Sequence, residues 1–285
     1  MFAHLIRTPF TMNPTFAKYP FEKMMMHTQK ISTYANDCTI DERIKEVAHL
    51  EDDIWFESDI AKKNDLVNKT ANTLGMDREY TSMLGMGLEI EDDILIMHEG
   101  KLEASFVAFA SSWSAGDKQG KTLRELHEPI ADGDKLRNAS DRIIKALTGD
   151  NCYHRYTWGV SPLKKRSNHP RYEKPDFNSV DDLWFRVEHE RTISIEKNKS
   201  CALLISVDVF PLGDVLRTDG ELLKKCIDSM SDNVLVYKNL KKVKITLFPL
   251  NEDISNVVPS ILGRTIEGAG SPTFSLAIYY PIEVD

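Results

Sequence analysis

A chain of 285 residues, 41% hydrophobic and 28% charged, is long enough for one large domain or two small ones and fits neither a disordered segment nor a disulfide scaffold. Lys and Arg number 36 against 44 Asp and Glu, a formal charge of −8. A field of that sign argues against a broad surface for nucleic acid or anionic membrane.

Residues 1–38, rich in Pro, Met and Thr without a clear period, are expected to wrap the surface of a single domain spanning 39–285. Acidic residues at Asp41 and Glu42 suit a first helical turn, and over 55–74 apolar residues recur every three to four positions. That spacing predicts a helix ended by Gly75. From Leu88 the period falls to two. Ile94-Leu-Ile-Met97, the turn at His98-Glu-Gly-Lys101 and the apolar run 102–109 predict a β-hairpin.

A helix is expected near 117–126, and a second over 134–147 with Leu136, Ile143, Ile144 and Leu147 on one face. Strand-like runs follow at 153–160, 183–187 and 202–210. The basic, Pro-containing segment 162–178 between the first two reads as a long surface loop. Residues 221–230 predict a helix and 243–247 a late strand. Strands in succession, with helices inserted in groups, predict an α+β fold built on a largely antiparallel sheet with flanking helices.

The four cysteines, Cys38, Cys152, Cys201 and Cys226, lie far apart without CxxC or finger spacing, as expected of reduced thiols. The N-terminus meets a proline before any apolar run of signal-peptide length, and no segment approaches the ~20 apolar residues of a membrane span. A cytoplasmic protein is expected. No GxGxxG opens a helix after a strand, and GxxxxGK[ST], HExxH and GxSxG are absent, so a self-contained reductase is not expected.

Among eight histidines, His127 stands out because it follows a predicted helix and precedes Glu128-Pro129. The proline stiffens the exit and suits a ligand whose ring angle matters; a histidine interacting with the helix dipole is the alternative. The acidic cluster Glu89, Glu91, Asp92 and Asp93 could hold a cation or an amine, or simply face water at a strand start. Arg186, Glu188 and Trp184 share one face of a predicted strand. Such an arginine makes a cross-strand ion pair or neutralises a cofactor's propionate or phosphate. Trp113 and Trp158 suit a core or a pocket wall.

In order along the chain, Ile90-Glu-Asp-Asp93, Phe109-Ala-Ser-Ser-Trp113, Lys118-Gln-Gly120, Leu126-His-Glu-Pro-Ile-Ala131, Arg186-Val-Glu188 with Arg191-Thr192, and Tyr237-Lys-Asn239 resemble the haem-dependent oxidative N-demethylase α-subunit family. That family carries (I/V)-Q-E-D, F-P-S-x-W, K-x-G, I-H-x-P-V-P, R-V-E-R-Q-T and Y-K-G at these places. Tyr19-Pro-Phe21 and Trp55-Phe-Glu-Ser-Asp59 extend the resemblance upstream.

The resemblance implies a PAS-like α+β domain holding b-type haem non-covalently. It implies oxidation of a small secondary amine such as dimethylamine with dioxygen to a primary amine and formaldehyde, through a carbinolamine. A separate NADPH-dependent reductase carrying flavin and an iron–sulfur centre would supply electrons. Carried onto this chain, His127 ligates the iron, Arg186 or Arg191 meets a propionate, and Trp113 and Phe109 line the pocket. Asp92 or Glu188 orients the cationic amine. This chain departs from the family at Glu91 and Asp92, at Ala110, at Ile130-Ala131 and in the extra residue of His189-Glu190. The departures leave haem binding more secure than substrate identity, with a haem-binding PAS-like sensor or an oxygenase of another small metabolite as the alternative.

Overall fold

The computed structural model describes residues 25–26 and 37–247. The rest of the expected N-terminal extension, with Tyr19-Pro-Phe21, lies outside the described residues, as does everything after 247. The described residues belong to one unit, Met1–Pro249; a second, Leu250–Asp285, lies outside them.

In chain order the elements are β1 (Met25–Met26), α1 (Asp37–Ile54), β2 (Trp55–Glu57), α2 (Asp59–Lys63), α3 (Leu66–Thr73), α4 (Met83–Gly87), β3 (Asp93–His98), β4 (Lys101–Phe106), α5 (Leu123–Leu126), α6 (Asp134–Leu147), β5 (Tyr153–Ser161), β6 (Trp184–Glu196), β7 (Ser200–Pro211), α7 (Leu212–Asp228), α8 (Asp232–Tyr237) and α9 (Leu240–Leu247). The fold is α+β. Its strands form one open antiparallel sheet in the order β1-β5-β6-β7-β3-β4-β2. Since β1 is a two-residue pairing on β5, the body of the sheet has six strands.

Register separates the two faces. Ile193 on β6, Ala202 and Leu204 on β7, and Ile94 and Ile96 on β3 alternate onto one face. There they pack with Leu50, Ile54, Leu66, Met83 and Met86 of the N-terminal helices. Phe185 and Val187, farther along the same face of β6, pack with Leu223, Ile227 and Leu240 of the C-terminal helices. On the opposite face, Leu95 and Met97 meet Leu123 and Leu126 of α5 and Ile144 and Leu147 of α6.

The predicted hairpin forms, its two turn residues Glu99 and Gly100 taking φ of 47° and 80°, the mirror-image turn that matches strand twist. Gly75, at φ 73°, ends α3 with the Met76 N–H bonded to Ala71 O. The helix over 134–147 forms as predicted.

Four expectations are corrected. Residues 55–57 are strand, not helix, because these residues pair with 104–106 of β4; Ser58 then caps α2, its Oγ accepting from Ala61 N at 3.0 Å. The helix near 117–126 shrinks to the single turn α5, since Gly120, at φ 73°, bends back to donate to Leu102 O. The strand at 243–247 is instead helix α9. Leu240, Val243 and Leu247 form its buried stripe, a helical spacing that β-branched composition disguised. The loop 162–178 is not wholly superficial: Ser167, Asn168 and His169 are buried, and Asn168 N bonds Ala110 O at 2.8 Å.

Candidate functional site

A reciprocal cap starts α5: Thr122 N donates to Glu125 Oε2 at 2.7 Å and Glu125 N to Thr122 Oγ1 at 3.3 Å. Leu123 and Leu126 root the turn in the sheet, and His127 is its C-cap. Pro129 is exposed, and its ring restricts only the local backbone. Arg137 of α6 does the holding, its Nη1 donating to His127 O at 3.2 Å and Ile130 O at 3.0 Å.

The His127 Nδ1 is buried and has no hydrogen-bond partner among the described residues. Burial, then Arg155, then Arg137, depresses its pKa from 6.5 to about 4, so the ring is neutral at neutral pH. A helix C-terminal histidine favoured by the dipole would have its pKa raised; at this C-cap, burial and the two arginines act the other way.

The sheet face beneath carries a charged ladder. Arg155, Thr157 and Gly159 on β5 stand abreast of Glu190, Glu188 and Arg186 on β6. Alternation puts them on the same face as Leu95 and Met97. Arg155 pairs with Glu190; Thr157 Oγ1 donates to Glu188 Oε2 at 2.9 Å. Arg186 is 2% exposed. Its Nη2 meets Phe109 O and, at 3.3 Å, Glu188, but its Nε and Nη1 have no hydrogen-bond partner among the described residues. Beside it, a Cβ on Gly159 would meet nothing within 4 Å. Of the 14 residues of α6, only Ser140 is buried, and Leu136, Ile143, Ile144 and Leu147 stay half-buried. An amphipathic helix normally buries its apolar stripe; this one leaves its stripe half-exposed.

The other expected site residues go elsewhere. Arg191, five positions from Arg186 on β6, projects from the opposite face and pairs with Asp92. Asp92 and Asp93 are 1% exposed, neither solvated nor open to a ligand as the acidic cluster suggested. Asp93 binds Arg43 at 2.9 Å and accepts from Ala108 N and Phe109 N at 3.1 and 2.9 Å. Burial raises the pKa of both carboxyls against the pull of their arginines. The Phe109 ring lies 4.6 Å below the Arg43 guanidinium and lines an open cleft of about 480 Å³ with Glu42, Lys45, Arg166 and Trp184. His127 is not among that cleft's walls. Trp113 is half-buried against the cluster that holds Leu126. The structure thus gathers His127, Arg186 and Glu188 on one face, puts Trp113 in the packing under α5, brings the Phe109 carbonyl to Arg186, and separates Asp92 and Arg191 from them.

Sequence reasoning missed Arg155, Thr157 and Gly159, although their alternation on a predicted strand marked a shared face. It also gave no role to Lys238, which ends α8 and donates to Trp158 O at the edge of β5. Asn239 follows with φ of 57°, the left-handed region where the family motif carries glycine and asparagine is the next best fit.

A family model described as haem-dependent oxidative N-demethylase, alpha subunit-like, matches residues 52–248. No curated protein matches the chain. Among the described residues, no helix is long and apolar enough to cross a membrane.

Proposed function

The chain belongs to the haem-dependent oxidative N-demethylase, alpha subunit-like family, and from that premise we propose that it removes a methyl group from a small secondary amine such as dimethylamine. The products are formaldehyde and a primary amine. A PAS-like, haem-binding domain over 39–285, wrapped by 1–38, acts in the cytoplasm. Counted from β3, the five central strands lie in the order 2-1-5-4-3, which supports the PAS-like reading.

The observation that carries the proposal is the His127 imidazole, neutral and with a buried Nδ1 that lacks a partner among the described residues, on the side of the sheet that carries the Arg155, Glu188 and Arg186 ladder. These features fit b-type haem. His127 serves as the iron ligand, and the spare Arg186 nitrogens meet a propionate by charge-assisted hydrogen bonds. Trp113 belongs to the wall under α5. When bound, haem supplies the dioxygen-dependent oxidation, and the protein supplies ligand, orientation and electrostatics. Glu188, steadied by Thr157 and Arg186, orients the substrate ammonium. After the N-methyl group is hydroxylated, the hydroxyl proton leaves, the C–N bond breaks and the nitrogen takes up a proton. Two electrons per turnover come from NADPH through a separate flavin and iron–sulfur reductase.

The test is an absorption spectrum of protein purified from a haem-replete host, oxidised, reduced and then exposed to carbon monoxide. A Soret band that shifts with carbon monoxide and is lost or altered in His127→Ala is expected. A colourless, fully folded protein overturns the proposal. Haem spectra without amine turnover, reductase and NADPH being supplied, would make the chain a sensor.

A further inference from the structure

The open cleft of about 480 Å³ that Phe109 borders plays no part in the proposed reaction, and neither His127 nor Arg186 is among its walls. Its volume is within the range that holds a small organic ligand. Three consecutive residues of β7, Asp208, Val209 and Phe210, line it. Side chains alternate across a strand, so three in a row mark a cleft that follows the strand's edge. That edge is open there, because β3 pairs with β7 only as far as Ile205. Val207, just past that point, gives its carbonyl to Arg166 Nε at 3.0 Å. Val209, two residues on in the extended strand, turns its own N–H and C=O to the same side.

Opposite charges in the walls are unevenly matched. Arg166 Nη1 meets both Glu42 oxygens, at 2.7 and 2.6 Å, and Glu46 accepts from the Tyr172 hydroxyl at 2.6 Å with Lys165 3.8 Å away. Lys45 and Lys164 are exposed, and neither has a carboxylate within 4.0 Å among the described residues. The Lys164 ammonium lies 4.9 Å from the centroid of the half-buried Trp184 ring, so an aromatic face and an unmatched cation adjoin.

We propose that the cleft is a binding site for a nucleoside monophosphate. The base lies flat on Trp184, a stacking contact open to any base. Its edge, which carries a hydrogen-bond donor beside an acceptor, pairs with the Val209 N–H and C=O as a neighbouring strand would. The phosphate takes Lys45 and Lys164, the latter swung off the indole, as point charges; no glycine is among the walls to bring a phosphate-cradling loop. Ring, edge and anion are three separate demands, and a ligand lacking any one of them binds less well. The inference is independent of the proposed demethylation, because none of the residues given to haem or amine lines the cleft.

The full chain is titrated by calorimetry with AMP and with GMP at low salt. One-to-one binding of at least one is expected, weakening as salt rises. The matching nucleoside, ribose 5-phosphate and 1-naphthyl phosphate lack in turn the anion, the ring and the hydrogen-bonding edge, and each should bind about tenfold more weakly. Trp184→Leu should lose about tenfold in affinity for the better nucleotide. Lys164→Gln, an exposed change, should lose affinity and flatten the salt dependence with thermal unfolding unchanged. No heat from either nucleotide overturns the proposal. So does binding that ribose 5-phosphate equals, which would mark an adventitious anion only, or binding that both variants leave intact. A colourless protein that still binds a nucleotide in this way would remove the demethylase reading and keep the cleft's ligand.

Discussion

Gly159 stands directly opposite Arg186 on adjoining strands, and no neighbouring atom comes within 4 Å of a Cβ placed on the glycine. Filling that space therefore separates folding from cofactor binding. Gly159→Ala should stabilise the cofactor-free protein by about 0.5 kcal/mol, because glycine costs backbone entropy in a strand. Gly159→Leu should weaken haem binding at least tenfold in a titration followed at the Soret band. Unchanged affinity in the leucine variant would put the macrocycle elsewhere.

The neutral state of His127 has a thermodynamic signature. Its folded pKa, about 4, lies below the ordinary imidazole value of 6.5, so the unfolded chain binds the extra proton more readily. Stability is full above 6.5 and is lost as pH falls toward 4. Between pH 7 and 5 this one residue should cost the cofactor-free protein about 2 kcal/mol. Urea unfolding at both pH values should show a smaller loss in His127→Gln; equal losses would mean the ring is not desolvated.

Asp93 and Arg43, 1% and 0% exposed, form a pair that cannot be halved cheaply. Asp93→Asn leaves the guanidinium buried without its counter-charge and weakens the tie to Ala108 N and Phe109 N. A loss of about 3 kcal/mol is expected, read as a lower urea midpoint. Little change would show that water reaches Arg43.

Asn239, at φ 57°, tolerates glycine but not a plain β-carbon. Asn239→Gly should be nearly neutral in thermal unfolding, whereas Asn239→Ala should lose about 1 kcal/mol. Equal effects of the two would mean that the turn relaxes out of the left-handed region.

Local chemistry made part of the molecule legible. The 98–101 turn, the Gly75 stop and the stripe on α6 each rest on neighbours within a few residues, and all three form. Residues 55–57 and 243–247 misled because tertiary pairing decides them: the first finds β4, and the second lays a helical stripe on a core that local composition does not reveal. Strand β6 runs from Trp184 to Glu196, well past its apolar start, because its charged residues find partners across the sheet. Such partners are invisible to a hydrophobic pattern.

The site was half legible for the same reason. His127, Arg186 and Glu188 carry motif positions and meet on one face. Asp92 and Arg191 carry them too, yet they pair with each other on the reverse side. The ladder from β5 could be read only once register set Gly159 beside Arg186.

Arg137 belongs to α6 but grips the carbonyls of His127 and Ile130. Helix α6 and the His127 turn are thereby bolted together: whatever lifts that helix drags the imidazole's main chain along. On the proposed function, admission of a flat macrocycle and its capture by the ring become one movement, and a mutation that cuts the bolt would uncouple them.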